Sequence, residues 1–402
     1  MKMKTGLSLF LAVFVLLGCL SGCASERPEQ TVAAAEKETA AETAAETAAE
    51  AEAPEEPASY TVKDVLDRDV VLKGEPQRVV VTFNLEEYFA VAGEAGVDKL
   101  VGFSHNYWKG RRQDAWDTFT AAYPSLAEKA DVGYNDSISV ETIISLKPDL
   151  LIMSAPVNFD FIEPHLQKLE EAGIPVLFVN YHKQTLELHE KSTMALGEAL
   201  GQPMRAREIC EFYEQQMALV TDTIAQLPAD AVRPKVYMEF SRGIGEYGNS
   251  WGKKMWGALI QTCGGENVAY DFGDGNSVDV NPELVIAANP DVIILAGSPQ
   301  KDIDNNVILG YTADKDRALE ALEAYKGRSG WENLNAVKNN RMGGVYHDLS
   351  RHIFDFAGAQ MLAKMIHPEL FADMDPEANL KVFFDRFMPV DYSGTWMVSL
   401  AG

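Results

Sequence analysis

The strongest constraint on the fold is a segment that occurs twice. Residues 139–152 read SVETIISLKPDLLI and residues 281–294 read NPELVIAANPDVII. In each copy a glutamate, Glu141 or Glu283, stands seven residues before Pro-Asp, and an apolar run follows. Pro-Asp before a strand is ordinary turn chemistry when met once. Two copies with one internal spacing, 142 residues apart, describe two lobes built on one plan.

The surrounding sequence repeats the same alternation. Short apolar runs at 79–83, 100–103, 150–153 and 176–179 read as strands of a first half, and those at 235–240, 292–295 and 344–346 as strands of a second. Helical stretches lie between them, among them 88–94, stopping at Gly96, 251–262, closed by Gly264-Gly265, and 353–366, ending before Pro368. Strands apolar on both faces and alternating with helices predict parallel sheets covered by helices. Between the halves, Ile209, Tyr213, Met217, Val220, Ile224 and Leu227 recur at steps of three and four. Pro203 suits a first helical position and Pro228 closes the run. The resulting helix, about 37 Å long, can span two lobes.

The beginning of the chain is an export signal in composition. Lys2 and Lys4 precede an apolar run at 7–17, too short for a membrane-spanning helix of about 20 residues but right for a signal-peptide core. It ends in Leu20-Ser21-Gly22-Cys23, which resembles the bacterial lipobox, whose cysteine is acylated and becomes the first mature residue. Residues 24–58 hold ten Glu against Arg27 and Lys37, with an Ala-Ala-Glu-Thr repeat and no aromatic residue. Such a segment cannot offset the entropy of ordering a core, and its charge of −8 makes it a self-repelling spacer. The expected organisation is a signal at 1–23, a tether at 24–58, an N-terminal α/β lobe at 59–202, a connecting helix at 203–228 and a C-terminal α/β lobe at 229–402. The whole chain of 402 residues carries −25. Setting aside the two signal lysines and the tether leaves −19 on the folded part. A chain this acidic has no electrostatic footprint for nucleic acid or an anionic membrane. After loss of Cys19 with the signal, Cys210 and Cys263 are either joined, as an exported chain permits, or two buried thiols.

Several chemistries find no support. The G-x-G-x-x-G match at 243–248 follows a strand, but no clear βαβ unit with a ribose-binding acid follows it; it reads as a loop at a cleft rim. Phosphate-loop, nucleophile-elbow and H-E-x-x-H patterns are missing from the sequence. The acidic stretch 271–279 lacks EF-hand spacing. Seven histidines are scattered without a tight metal-ligand pair, although sequence leaves open their convergence in space.

Four further pieces join the repeat in a definite order: 61–68 with 76–80, Cys263-Gly264-Gly265-Glu266-Asn267, 331–341, and Val345-Tyr346. Together, over residues 60–390, they resemble the substrate-binding proteins of ABC importers for ferric siderophores, haem and cobalamin. The resemblance implies an α/β fold of two Rossmann-like lobes with parallel sheets, joined by a single long helix, with a ligand in the cleft between them and little closing motion. It implies no enzyme activity and no catalytic cofactor. The implied partners are an ABC permease with its ATPase, contacted through Glu141 and Glu283, and a small-molecule metal chelate. The expected protein is monomeric, extracytoplasmic and held to the membrane only through lipidated Cys23.

Open α/β sheets bind ligands at the carboxyl ends of strands. The candidates there are Phe83, Asn84, Glu86 and Tyr88; the cluster 104–112, with Trp108, read as a loop; Glu239, Ser241, Arg242, Tyr247, Asn249 and Trp251; and His347, Arg351 and His352. Tyr88, Trp108 and Trp251 offer flat faces for a bulky ligand, and Arg242 and Arg351 offer planar donors for its oxygens. The expected ligand is an iron chelate of the ferric siderophore type. Haem, with His352 as a candidate axial ligand, and cobalamin are the alternatives within the class. A bare-metal binder, a surface-anchored enzyme and a ligand sensor are the alternatives outside it.

Overall fold

The computed structural model describes residues 58–273, 275 and 277–401. The signal segment, Cys23 and the tether up to residue 57 lie outside the described residues. Strands β1 (Ser59–Lys63) and β2 (Asp69–Lys73) form an antiparallel hairpin that buries Val62, Val70 and Leu72. Its turn is wound around buried Asp64, which accepts the backbone N–H groups of Leu66 and Arg68 at 2.9 and 3.0 Å.

Strands β3 (Val79–Val81), β4 (Leu100–Phe103), β5 (Ala130–Asp131), β6 (Leu150–Ser154) and β7 (Val176–Val179) make a parallel sheet in the order β5-β4-β3-β6-β7. All residues of β3, β6 and β7 are buried, which is why these strands are continuously apolar. Strands β8 (Lys235–Phe240), β9 (Glu266–Asn267), β10 (Val292–Gly297), β11 (Met342–Tyr346) and β12 (Met397–Ser399) form a second sheet, ordered β12-β11-β10-β8-β9. It is parallel except for β12, an antiparallel edge from the end of the chain.

The duplicated segment does the same work in both lobes. The helices Val140–Leu146 and Pro282–Ala288 are capped by the side chains of Ser139 and Asn281 and end at left-handed Lys147 and Asn289, each with φ 48°. The Asp after each Pro then clamps the neighbouring strand. Asp149 accepts N–H groups of Gln77 and Arg78 at 2.8 Å, fixing β6 beside β3. Asp291 accepts the N–H of Lys235 at 2.9 Å, fixing β10 beside β8.

The helix Pro203–Ala225 runs for 23 residues, about 34 Å, and is fastened to both lobes. Arg205 donates to the carbonyls of Ala90 at 2.6 Å and Phe387 at 3.0 Å. Tyr213 donates to Asp355 at 2.9 Å, whose other oxygen lies 3.4 Å from His189 Nε2. Cys210 and Cys263 are free and buried. Among the described residues no helix is long and apolar enough to cross a membrane.

Three elements differ from the sequence expectation. The strand expected at 79–83 ends at Val81, and the chain turns into the helix Leu85–Ala92, which stops at Gly93. The cluster 104–112 is the helix His105–Arg111, not a loop. The helix expected from residue 251 begins at Trp256: Met255 takes φ 50°, and the carbonyls of Trp251 and Gly252 are held by Asn267 Nδ2, each at 2.8 Å.

Candidate functional site

The carboxyl ends of strands from both sheets face one cleft with three chambers around Phe240, the last residue of β8. A chamber of about 460 Å³ is walled by Tyr134 and His182 from the first lobe and by Arg242, Trp251, His347 and Arg351 from the second. A larger one, about 790 Å³, lies between Arg111, the 242–246 loop and the 300–305 loop. The smallest, about 230 Å³, has Tyr107, His347, Asp348 and Arg351 in its walls.

Under this cleft lies a chain of buried charges. Arg351 Nε donates to Asp348 at 2.9 Å, and Arg112 Nε approaches the other oxygen of Asp348 at 2.8 Å. Arg112 also pairs with Glu86 at 2.5 Å. Burial works against the Asp348 charge, but Arg351 and Arg112 outweigh it and hold the carboxyl well below its ordinary range. Next to this chain, His352 Nδ1 lies 2.8 Å from Glu87 Oε1, which also accepts the Ile353 N–H at 3.0 Å. Burial opposes both charges of this pair, yet the attraction wins: His352 is raised and Glu87 lowered. Glu86 and Asp348 thus face the guanidinium groups of Arg112 and Arg351, and Glu87 faces His352. Arg111 and Arg242 make no ion pair among the described residues; Arg242 is the charge offered in the chamber of Trp251 and His347, whereas the larger chamber sets both arginines among the carboxylates Glu246, Asp302 and Asp304.

The aromatic lining is ordered. Tyr107 and Tyr134 stack at 3.9 Å, and Phe83 lies beside both. Trp251 stacks on His347 at 5.3 Å, and Phe240 meets the same imidazole edge-on at 5.0 Å. Burial and then Arg351 keep His182 and His347 neutral; His347 is pushed down to about 3. Trp256 Nε1 donates to His347 Nδ1 at 3.4 Å. That bond places the imidazole proton on Nε2, so His347 offers a donor.

Of the residues expected to hold ligand, Arg242, Trp251 and Arg351 line the cleft. Tyr88, Trp108 and His352 do not. Tyr88 is wholly buried and donates to the Gly96 carbonyl at 2.8 Å. Trp108 points inward because its segment is helical, and it packs edge-on against Phe103 and Phe119. His352 spends its Nδ1 on Glu87 and is fully buried, which removes it as an axial ligand. Glu86, Glu87 and His352 bring ligand atoms within 4.8 Å of one another. A cation there would face the Arg112 guanidinium, already paired with Glu86, and would compete with Glu87 for His352 Nδ1, so these residues do not fit a metal and instead join the lobes. Glu141 and Glu283 are exposed in the first turns of the two matching helices.

Sequence reasoning missed Tyr134, Phe161, His182, Phe240 and Met255. The signal was available for three of them. Tyr134 follows β5, Phe161 follows β6 and His182 follows β7, so the rule that selected residues after β3 and β8 applies to them as well.

A pair of α/β lobes on one connecting helix, with a cleft walled from both, is the build of a binding protein. Residues 81–346 match the family described as periplasmic binding protein, and the chain belongs to it; its members are substrate-binding proteins of the ABC importer type. Among particular proteins, the TroA-like periplasmic binding protein FepB from Veillonella parvula is 34% identical, with a TM-score of 0.79 over 84% of this chain and 99% of that one. The ABC transporter substrate-binding lipoprotein YvrC of Bacillus subtilis is 26% identical over 316 residues, 78% of this chain and 87% of YvrC. The molybdate-binding protein MolA of Haemophilus influenzae is 23% identical over 362 residues, 83% of this chain and 92% of MolA.

Proposed function

We propose that this protein captures a ferric siderophore outside the cytoplasm, held to the membrane by lipid on Cys23, and delivers it to an ABC permease and its ATPase without making or breaking a covalent bond. The observation that carries the reading is the cleft around Phe240, with unpaired Arg242, donor His347 and the Trp251 and Tyr134 rings. Chambers of about 460 and 790 Å³ fall in the range of organic ligands, about 300–1,000 Å³. A bare metal ion or a tetrahedral oxyanion would leave most of that space empty. Guanidinium groups suit catecholate or carboxylate oxygens, and the rings suit the flat parts of a chelate. The folded part carries −19, which repels an anion within a Debye length of about 8 Å, so the attraction falls to Arg242 in the chamber of Trp251 and His347, whose described lining holds no carboxylate. The similarity to YvrC, named a lipoprotein, supports the anchor.

The test is a tryptophan-fluorescence titration of the chain from residue 59 with iron(III) tris-catecholate, ferric citrate, haemin, cobalamin, molybdate and zinc. Tight binding confined to a ferric chelate is the expected result. Preference for haemin or cobalamin would move the ligand to another chelate of the class, and preference for molybdate or bare zinc would sink the chelate reading. A fatty-acid probe should label the full chain and not its Cys23→Ala variant; equal labelling would remove the anchor.

A further inference from the structure

Arg242 reaches two chambers of the cleft from a loop, and loops are poor places from which to aim a charge. This loop is unusually well fastened. Its ends are tied together, since the Phe240 N–H donates to the Asn249 carbonyl at 2.8 Å. Gly243 has φ +83°, and a Cβ there would meet the Asp304 carbonyl at 2.3 Å. From behind, one buried residue grips the loop. Arg328, 3% exposed, donates from Nη2 to the carbonyls of Gly243 at 2.8 Å and Glu246 at 2.7 Å, and from Nε to that of Ile244 at 3.3 Å. Its Nη1 pairs with Glu239 on β8 at 2.5 Å. The guanidinium is packed among three rings, at 4.4 Å from Tyr247 and Trp331 and 4.7 Å from Tyr325. Tyr325 completes the clamp, accepting the Gly243 N–H at 2.8 Å and bonding Ser241 Oγ at 2.9 Å.

We propose that Arg328 is a positioning residue that sets Arg242 against the ligand by holding the 241–249 loop on β8. Three carbonyls of one loop and one carboxylate of the strand beneath it converge on a single planar fork. A lysine keeps the charge for Glu239 but has no fork to reach the carbonyls. Two glycines of the G-x-G-x-x-G pattern serve this packing, Gly243 against Asp304 and Gly248 against the Phe240 carbonyl, while Gly245 faces open space. Arg328 itself lines no chamber; it grips from behind the loop that carries Arg242 to the cleft.

This inference rests on reading the cleft as an anion site. Two measurements separate the two. Amide hydrogen exchange, which needs no ligand, should rise at least about tenfold at 243–247 in Arg328→Lys, with the β8 and β10 amides unchanged. In the double-mutant cycle with Arg242→Ala, read by iron(III) tris-catecholate titration, Arg328→Lys should weaken binding about tenfold in the parent and less than about twofold when Arg242 is already absent. A purely structural residue would give equal losses in both backgrounds, and that outcome, or unchanged exchange, overturns the proposal. If the parent binds no ferric chelate, the ligand reading fails while the exchange result still decides the role of Arg328. Should Arg328→Lys not fold, Tyr325→Phe removes the bonds to Gly243 and Ser241 and keeps the ring under Arg328; it should show the same pattern at smaller size, and its absence overturns the proposal equally.

Discussion

Asp348 is shared by two arginines, and this makes Arg351→Ala a two-sided change. It removes a donor from the cleft wall and leaves Asp348 to Arg112 alone. Truncating one partner of a buried charged pair costs about 2–5 kcal/mol, so affinity for the proposed ferric chelate should fall roughly 30- to 5,000-fold. Lys109→Ala, on an exposed residue outside the chambers, should leave it within about twofold. Tyr88→Phe is the reverse case. It forfeits the bond to Gly96 and should lower stability by about 0.5–1.5 kcal/mol in urea denaturation while affinity stays unchanged. A large affinity loss in Tyr88→Phe would contradict the placement of that ring in the core.

Between elements, two buried histidine–carboxylate pairs join the lobes: His352 with Glu87, and His189 with Asp355. Both histidines are raised above their ordinary value, in each case because a carboxylate outweighs burial. A raised histidine stabilises fully below its unfolded pKa, about 6.5, and loses that contribution as pH climbs through the folded value. Stability should therefore decline as pH rises above about 6.5, each pair adding a slope of at most about 1.4 kcal/mol per pH unit. His352→Gln should flatten that decline in urea titrations; an unaltered slope would remove the pair from the account. The same scale shows what sequence could yield. Strands 100–103 and 176–179 were legible to the residue, because strands buried on both faces are written as unbroken apolar runs, and 235–240 was legible through its apolar stretch Val236-Tyr237-Met238 despite Glu239. The β1–β2 hairpin and β12 were not recognised, since the hairpin strands bury only alternate residues and β12 is three residues long, and such short pieces carry a weak signal. Arg242 and Trp251 were legible because they follow a strand end. Trp108 failed for want of a helix: read as loop it faces the cleft, wound as helix it faces the core.

Over the whole molecule, the duplicated segment leaves matched glutamates on the two lobes, one of them engaged. Glu141 is paired with Lys168 at 2.8 Å, which lowers its pKa, whereas Glu283 has no ion pair among the described residues. If these positions meet arginines of a permease, Glu141→Arg with Glu283→Arg should abolish uptake while ligand affinity and Tm barely move. Uptake that persists, or is lost only in proportion to folding, would assign both glutamates to their helix ends. Lys168→Ala should leave uptake intact or raise it, because a surface pair of this kind is easily exchanged.

The bonds that cross between the lobes also bear on time. Arg112 to Asp348 at 2.8 Å, Gln184 to the Ser350 carbonyl at 2.5 Å, and Asp114 to the Tyr311 N–H at 3.0 Å fasten one lobe to the other at separate points. A jaw pinned in this way has little travel. Capture then resembles a coin entering a slot already cut to its width: the rate of uptake into the cleft rises in proportion to ligand concentration without levelling off, because no slow rearrangement follows the encounter. Selectivity then rests on how long each ligand stays, and a loaded molecule should differ from an empty one more in what fills its mouth than in its outline.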